Sequence, residues 1–79
     1  MQDETTMPVY AIYQYVKSAQ KVAVVLNKKK FTLEGRIEGF DEFFNLVLCE
    51  VNKVENGEKT AINGRMVIKG ESIAMVRTV

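Results

Sequence analysis

Apolar and polar side chains alternate along residues 31–40, so that every second residue falls on the same side of an extended chain. A period of two is typical of a half-buried β-strand and not of a helix. Gly35 and Gly39 lie on one side of this pattern, where a bulky side chain would block a sharp bend, so this strand is predicted to curve strongly. The alternation stops in an acidic and aromatic turn at 41–45, and a further strand is predicted at about 45–54.

The rest of the chain predicts a short helix and three further strands. Between about Pro8 and Ser18, apolar residues recur at three- and four-residue spacing, which indicates a helix that covers a sheet. That stripe consists of Val9, Ile12, Tyr13 and Val16. Strands are predicted at residues 21–26, 61–69 and 72–77. The polar segment 52–60 fits either a loop or an extension of a strand.

One helix followed by five strands in 79 residues predicts an all-β fold with an N-terminal helix. We expect a small, strongly bent, five-stranded antiparallel open barrel of SH3-like shape, with the helix across one end. Residues 1–7 are polar and expected to be flexible, which leaves 8–79 as one domain.

The last two strands of such a barrel leave exposed edges, which can pair with another chain. A core this small is also marginal by itself, and oligomerisation is a common remedy. We therefore expect subunits to join edge to edge. The predicted subunit interface comprises Met66, Val67, Ile68, Ile73, Ala74, Met75 and Val76.

The composition excludes several classes of function. The chain has 11 basic and 10 acidic residues, a net charge of +1, so any nucleic acid would be bound by a few placed groups and not by a broad basic coat. With no His and one Cys, the usual zinc sites and Cys–His nucleophiles cannot be built, and we expect neither an enzyme nor a cofactor. Cys49 is expected to be a buried, inert thiol. No membrane span or signal peptide is expected.

The turn at 41–45 holds the candidate chemistry. Phe43 can stack on a flat ligand, and the Asn45 carboxamide can hydrogen-bond its edge. The alternatives are that Phe43 belongs to the core and that Asn45 only caps the turn. The charge run Lys28–Lys30 is more typical of a solvated loop than of a phosphate contact.

Two separated segments resemble the paired signatures of the Sm/LSm superfamily. The first is Gly35 followed by GFDEFFNLVL at 39–48, and the second is VIKGESI at 67–73. The short spacing between them, and the helix upstream, are similar to the E-type branch of that superfamily. This sequence departs from the usual pattern at Phe43, which replaces a tyrosine, at Phe44, which replaces a methionine, and at Glu71, where Asp or Asn is usual.

The resemblance implies a subunit of a seven-membered ring. Such a ring binds a uridine-rich single-stranded site in spliceosomal small nuclear RNAs and forms the ribonucleoprotein core for pre-mRNA splicing. It implies other Sm proteins of the F and G types as neighbours in a hetero-heptamer, a nuclear location with cytoplasmic assembly, and a possible homo-oligomer of the isolated chain. The alternatives are an LSm-type subunit of an RNA decay or RNA-chaperone ring, and an SH3-like interaction barrel without RNA.

The resemblance also implies roles for individual residues. Phe43 would stack on a base and Asn45 would hydrogen-bond its edge. Lys69 would pack on the other face of the base or supply charge, and the Gly70 backbone would approach it. The residues implied to support the two loops are Asp41 and Glu71.

Overall fold

The computed structural model describes residues 9–79, so the predicted flexible segment 1–7 and Pro8, the predicted start of the helix, lie outside the described residues. Within residues 9–79, one helix is followed by six strands and a single 3-10 turn at Gly70–Ser72. The elements are α1 (Val9–Ser18), β1 (Lys21–Leu26), β2 (Thr32–Phe40), β3 (Leu46–Glu55), β4 (Glu58–Ile62), β5 (Met66–Ile68) and β6 (Ile73–Thr78).

All strand pairs are antiparallel, and the strand order is β4-β3-β2-β1-β6, with β5 also paired to β3. β3 therefore carries β5 on its first half and β4 on its second half, and its other edge pairs with β2. This confirms the predicted helix and bent antiparallel sheet that does not close. The buried core lies inside the bend and consists of Ile12, Val22, Val24, Leu33, Ile37, Leu46, Leu48, Val51, Ile68 and Val76.

The predicted fourth strand at 61–69 is divided into β4 and β5. The break at 63–65 contains Gly64 in the left-handed region (φ 83°), and Arg65 forms an ion pair with Glu38 of β2. A left-handed residue interrupts the extended ladder, and pairing with β3 resumes at Met66. The pattern of apolar residues alone did not show this break.

The polar segment 52–60 is a strand extension that ends in a hairpin. Asn56 and Gly57 both have positive φ angles, 53° and 81°, and they connect Glu55 to its partner Glu58. Two such residues between antiparallel strands are typical of a type I′ turn, which Asn-Gly adopts readily. The structure thus decides between the two possibilities that the sequence left open.

The buried face of the helix is narrower than the apolar stripe in the sequence predicted. Ile12 is 1% exposed, and Tyr15 and Val16, three and four residues later, pack against the core. Val9 and Tyr13 remain 59% and 52% exposed, so their assignment to the buried stripe was wrong. The principal contact of the helix is with β2, and the residues that face the core lie within about one turn, at 12–16.

At Gly35 the bend of β2 leaves no space for a side chain, whereas at Gly39 it does. The register with β3 shifts at Gly35, and opposite it Glu50 takes a left-handed conformation (φ 53°), as in a β-bulge. A Cβ on Gly35 would lie 2.8 Å from the Cys49 carbonyl oxygen, whereas a Cβ on Gly39 would meet nothing within 4 Å. Cys49 is half-buried and not buried as expected, because it lies on the opposite face of β3 from the buried Leu48.

We expect Gly35→Ala to destabilise the fold by about 1–3 kcal/mol, since the added methyl group meets backbone that cannot move without disturbing the bulge. The free energy of unfolding, measured by urea titration of the purified chain, tests this. Gly39→Ala is the matched control and should leave stability nearly unchanged. Equal stability of the two variants would contradict the steric role of Gly35.

Candidate nucleic-acid interface

The first loop is held together by one carboxylate. Asp41 Oδ1 accepts the backbone N–H groups of Phe43 at 2.9 Å and Asn45 at 3.0 Å. The backbone adds a bond from Phe44 N to the Asp41 carbonyl at 3.0 Å and one from Asp41 N to the Asn45 carbonyl at 3.2 Å. A short Asp side chain suits this position because it reaches donors two residues further along its own chain.

The side chain of Asn45 joins the first loop to the second. Its Nδ2 donates to Asp41 Oδ2 at 2.8 Å, and its Oδ1 accepts the Gly70 backbone N–H at 2.8 Å. A carboxylate accepts only and an N–H donates only, so these two partners fix the orientation of the amide. One N–H and one oxygen lone pair of the carboxamide are left over. Asn45 is therefore more than a cap of the turn.

Gly70 lies directly against the backbone of the first loop. A Cβ at this position would overlap the Phe43 carbonyl oxygen and would lie 2.9 Å from the carbonyl carbon and oxygen of Phe44. Phe44 itself is left-handed (φ 61°), and its ring stacks on Phe40 with centroids 6.4 Å apart and planes at 8°. The absence of a side chain at Gly70 allows the two loops to touch, and the Phe40–Phe44 stack anchors the first loop to the end of β2.

The two loops enclose an open cavity of about 530 Å³. Its lining residues are Phe43, Phe44, Asn45, Lys69, Gly70 and Glu71. The Phe43 ring is 71% exposed, so its assignment to the core is excluded. The four residues implied to contact RNA are thus brought together in one concave site, and Phe43 and Lys69 are both exposed there.

The two residues implied to support the loops differ in how they contribute. Asp41 holds the first loop through its carboxylate. Glu71 contributes its carbonyl oxygen, which accepts Asn27 Nδ2 at 3.2 Å, while Asn27 N donates to the Ser72 carbonyl at 2.8 Å. Sequence reasoning missed Asn27, because its partners lie more than forty residues away along the chain and no local pattern marks it.

The predicted interface residues alternate between outside and inside. Val67 and Met75 are 69% and 44% exposed, whereas Ile68 and Val76 are only 6% and 7% exposed and belong to the core of their own chain. The half-buried members of the set are Met66, Ile73 and Ala74. Alternation is the consequence of the strand period, so for Ile68 and Val76 the backbone, and not the side chain, is available at the edge.

A protein-family model described as the LSM domain matches residues 16–78. The match spans most of the chain, so the chain belongs to this family. The resemblance drawn from the two separated segments is therefore confirmed.

Named relatives come from both eukaryotes and archaea. A Drosophila melanogaster protein described as a probable small nuclear ribonucleoprotein E is 32% identical over 81 residues, which cover 100% of this chain and 86% of the relative. A putative snRNP Sm-like protein of Pyrococcus horikoshii is 33% identical over 60 residues, which cover 76% of this chain and 80% of the relative.

Solved structures of similar proteins share the fold. The Pyrococcus abyssi Sm protein in complex with a uridine heptamer superposes with a TM-score of 0.80 at 28% identity, covering 94% of this chain and 100% of that one. A heptameric archaeal Sm protein gives a TM-score of 0.78 at 23% identity, covering 89% and 97%. Both support the assignment of the helix and bent sheet to the Sm fold.

Hydrogen bonds lower the pKa of Asp41 below its ordinary value. The largest cause is the bond donated by the Asn45 side chain; desolvation opposes it, and the backbone N–H groups of Asn45 and Phe43 add to the lowering. A carboxylate whose pKa falls on folding stabilises the folded loop above the ordinary Asp pKa of about 4. This contribution is lost as the pH falls through the lower, folded-state pKa.

We expect the backbone amide resonances of Phe43 and Asn45 to shift together on acidification, with a midpoint below about 4. A pH series of NMR spectra measures this transition. Asp41→Asn, which has the same shape but does not titrate, should abolish it. A midpoint at or above the ordinary Asp value would show that the carboxylate is not holding the loop.

Proposed function

We propose that this chain binds uridine-rich single-stranded RNA, one nucleotide per subunit, in the pocket between its two signature loops. The observation that carries the proposal is the Asn45 carboxamide, which Asp41 and the Gly70 N–H hold in one orientation beside an exposed Phe43 ring. The role is binding and not catalysis, since the residues that line the pocket include no nucleophile with an adjacent base.

The fixed amide suits a uracil edge. Uracil presents an N–H donor next to a carbonyl acceptor, and cytosine presents the reverse order at the same positions. A freely rotating Asn could serve either base by turning over. Because Nδ2 is tied to Asp41 and Oδ1 to Gly70, Asn45 offers its remaining donor and acceptor in one order only. When the sugar position fixes which way round the base edge meets the amide, only uracil presents the complementary order of donor and acceptor. The pocket therefore favours uracil.

The rest of the pocket suits a splayed base. Single-stranded RNA is recognised by bases stacked on aromatic or cationic planes and hydrogen-bonded at their edges. Phe43 supplies the aromatic face, and its lack of a hydroxyl does not weaken stacking. Lys69, which also lines the cavity, supplies a cation for the second face or for phosphate. One such contact is weak, and repetition around a ring supplies avidity.

The sheet has two free edges from which a ring can be built. Within the described residues, β6 pairs only with β1 and β5 only with β3. The hydrogen bond from Val79 N to the Lys21 carbonyl at 3.4 Å shows which residues of β6 direct their backbone N–H groups toward β1. Arg77 and Met75 then also face β1, while the backbone N–H group of Val76 faces outward. The alternation ends at Ala74, where the register of the β1–β6 ladder shifts. We infer that this outward edge pairs with β5 of a neighbouring subunit.

More specifically, we propose that the chain is an E-type subunit of a hetero-heptameric ring and has Sm neighbours of the F and G types. Such a ring would bind spliceosomal small nuclear RNAs, form the core for pre-mRNA splicing, and act in the nucleus after assembly in the cytoplasm. The support is the resemblance of the two signatures and the alignment with the Drosophila ribonucleoprotein E over the whole chain.

A second candidate is a ring of identical subunits, as favoured by the similarity of the fold to a heptameric archaeal Sm protein. The mass of the isolated chain under native conditions separates the two, because a homomeric ring forms without other Sm proteins. An LSm-type ring in RNA decay uses the same pocket and is distinguished by the partners and RNAs recovered with the chain.

We expect Phe43→Ala to weaken the contact with one nucleotide by ~1–3 kcal/mol, because the stacking surface is removed. The measurement is ultraviolet crosslinking of an assembled ring to a uridine-rich RNA, read one nucleotide at a time. Phe43→Tyr keeps the ring and should retain the crosslink. If Phe43→Ala leaves this subunit's crosslink unchanged, the stacking role is wrong.

We expect Val76→Pro to block assembly, because proline removes a backbone N–H that faces the free edge. Native mass spectrometry with the required neighbours gives the oligomeric state, and circular dichroism verifies that the variant still folds. Val76→Ala also loses the buried side chain but keeps the N–H, and it is the control. A folded Val76→Pro variant that assembles normally would place the interface elsewhere.

A further inference from the structure

We propose that the loop Lys28–Lys30 is a second RNA contact, which holds the phosphodiester backbone next to the base pocket. This inference rests on the proposed function and adds to it a separate site with a different ligand group. Sequence reasoning favoured a merely solvated loop for this charge run. Three structural observations change that interpretation: a physical tie to the pocket, a shared concave surface, and lysines without acidic partners.

The lysine loop is fastened to the turn that lines the pocket. Asn27, the residue before the lysines, donates its backbone N–H to the Ser72 carbonyl at 2.8 Å and its side-chain Nδ2 to the Glu71 carbonyl at 3.2 Å. Glu71 in turn lines the base pocket. The start of the lysine loop therefore has a fixed position relative to the pocket, as a specific contact requires.

The base pocket and the start of the lysine loop share a concave surface. A cavity of about 460 Å³ is lined by Asn27, Lys28, Glu71 and Ser72, and it adjoins the base pocket at Glu71, which lines both. A strand whose base lies on Phe43 would thus pass from the pocket, over Glu71, into a cavity that Lys28 lines.

The lysines of this loop are free to bind an anion. Elsewhere, four basic side chains lie within ion-pair distance of carboxylates: Arg36 with Glu50, Lys53 with Glu55, Lys59 with Glu34 and Arg65 with Glu38. Lys28, Lys29 and Lys30 are exposed and form no ion pair with any residue in the range 9–79. Glu71 is the acidic residue lining the shared walls, and the lysines outnumber it.

This arrangement explains how a chain of net charge +1 can bind a polyanion. Pairing neutralises much of the positive charge on the sheet, and the unpaired lysines of the loop lie beside the pocket. Phosphate contacts carry no base information, but they add affinity that depends on salt. We therefore expect the two sites to be separable: the pocket sets base preference and the lysine loop sets the salt dependence.

The test compares two double variants that remove the same charge. Lys28→Gln with Lys29→Gln removes two ammonium groups from the loop, and Lys17→Gln with Lys21→Gln removes two exposed ones that line none of these cavities. Each protein is assembled as for the wild type, and its affinity for a uridine heptamer and a cytidine heptamer is measured over a series of NaCl concentrations.

We expect the loop variant to bind both oligomers more weakly by the same factor, with the preference for uridine kept. The slope of log affinity against log salt should fall by about 0.7 for each phosphate that the variant no longer binds. The control variant should keep the wild-type slope. Native mass spectrometry verifies that each variant assembles, and Phe43→Ala in the same assay should reduce affinity without changing the slope.

Three results would overturn the inference, and they can be distinguished from one another. If the loop variant keeps the slope of the wild type while uridine binding is intact, the lysine loop makes no phosphate contact and the proposed function stands. The same holds if both double variants reduce the slope equally, since the effect is then one of net charge. If the assembled wild-type protein does not bind the uridine heptamer, the proposed function and this inference fail together.

Discussion

The contact between the Asn45 side chain and the backbone of Gly70 is the interaction on which the site depends. It joins two loops that are twenty-five residues apart in the chain, and it satisfies a backbone N–H at the start of the 3-10 turn. The same side chain is tied to Asp41, so one amide links a carboxylate, the first loop and the second loop. Without it, the exposed Phe43 ring and the cation at Lys69 would have no fixed separation, and the cavity would lack one of its polar walls.

The bent sheet supplies the conditions for that contact. The bulge opposite Gly35 turns β2 and β3 together, and the stack of Phe40 on Phe44 fixes the loop to the strand that delivers it. β5 pairs with the first half of β3, which brings the turn after β5 to the same end of the sheet as the loop before β3. Two close backbone approaches, at Gly35 and Gly70, therefore position the site.

Charge is distributed unevenly between the sheet and the lysine loop. Ion pairs on the strands neutralise much of the basic charge of the sheet, and the exposed lysines beside the pocket have no such partner among the described residues. A net charge near zero is consequently a poor guide to nucleic-acid binding in a chain this small. Where the unpaired charges lie decides what they can bind, because screening in water confines their effect to about a Debye length.

The sequence by itself determined the helix, the strands and the family. These follow from local periodicity and from two short segments, and both are properties of neighbouring residues. The sequence also placed Phe43 and Asn45 in a turn. It did not show the break at Gly64, the role of Asn27, or the outward positions of Val9 and Tyr13, and it assigned Gly39 a steric role that is absent. Each of these depends on contacts between segments distant along the chain. Only the tertiary structure brings such segments together, and so only it decided how Asn45 is oriented, which strand edges are free, and which lysines lie beside the pocket.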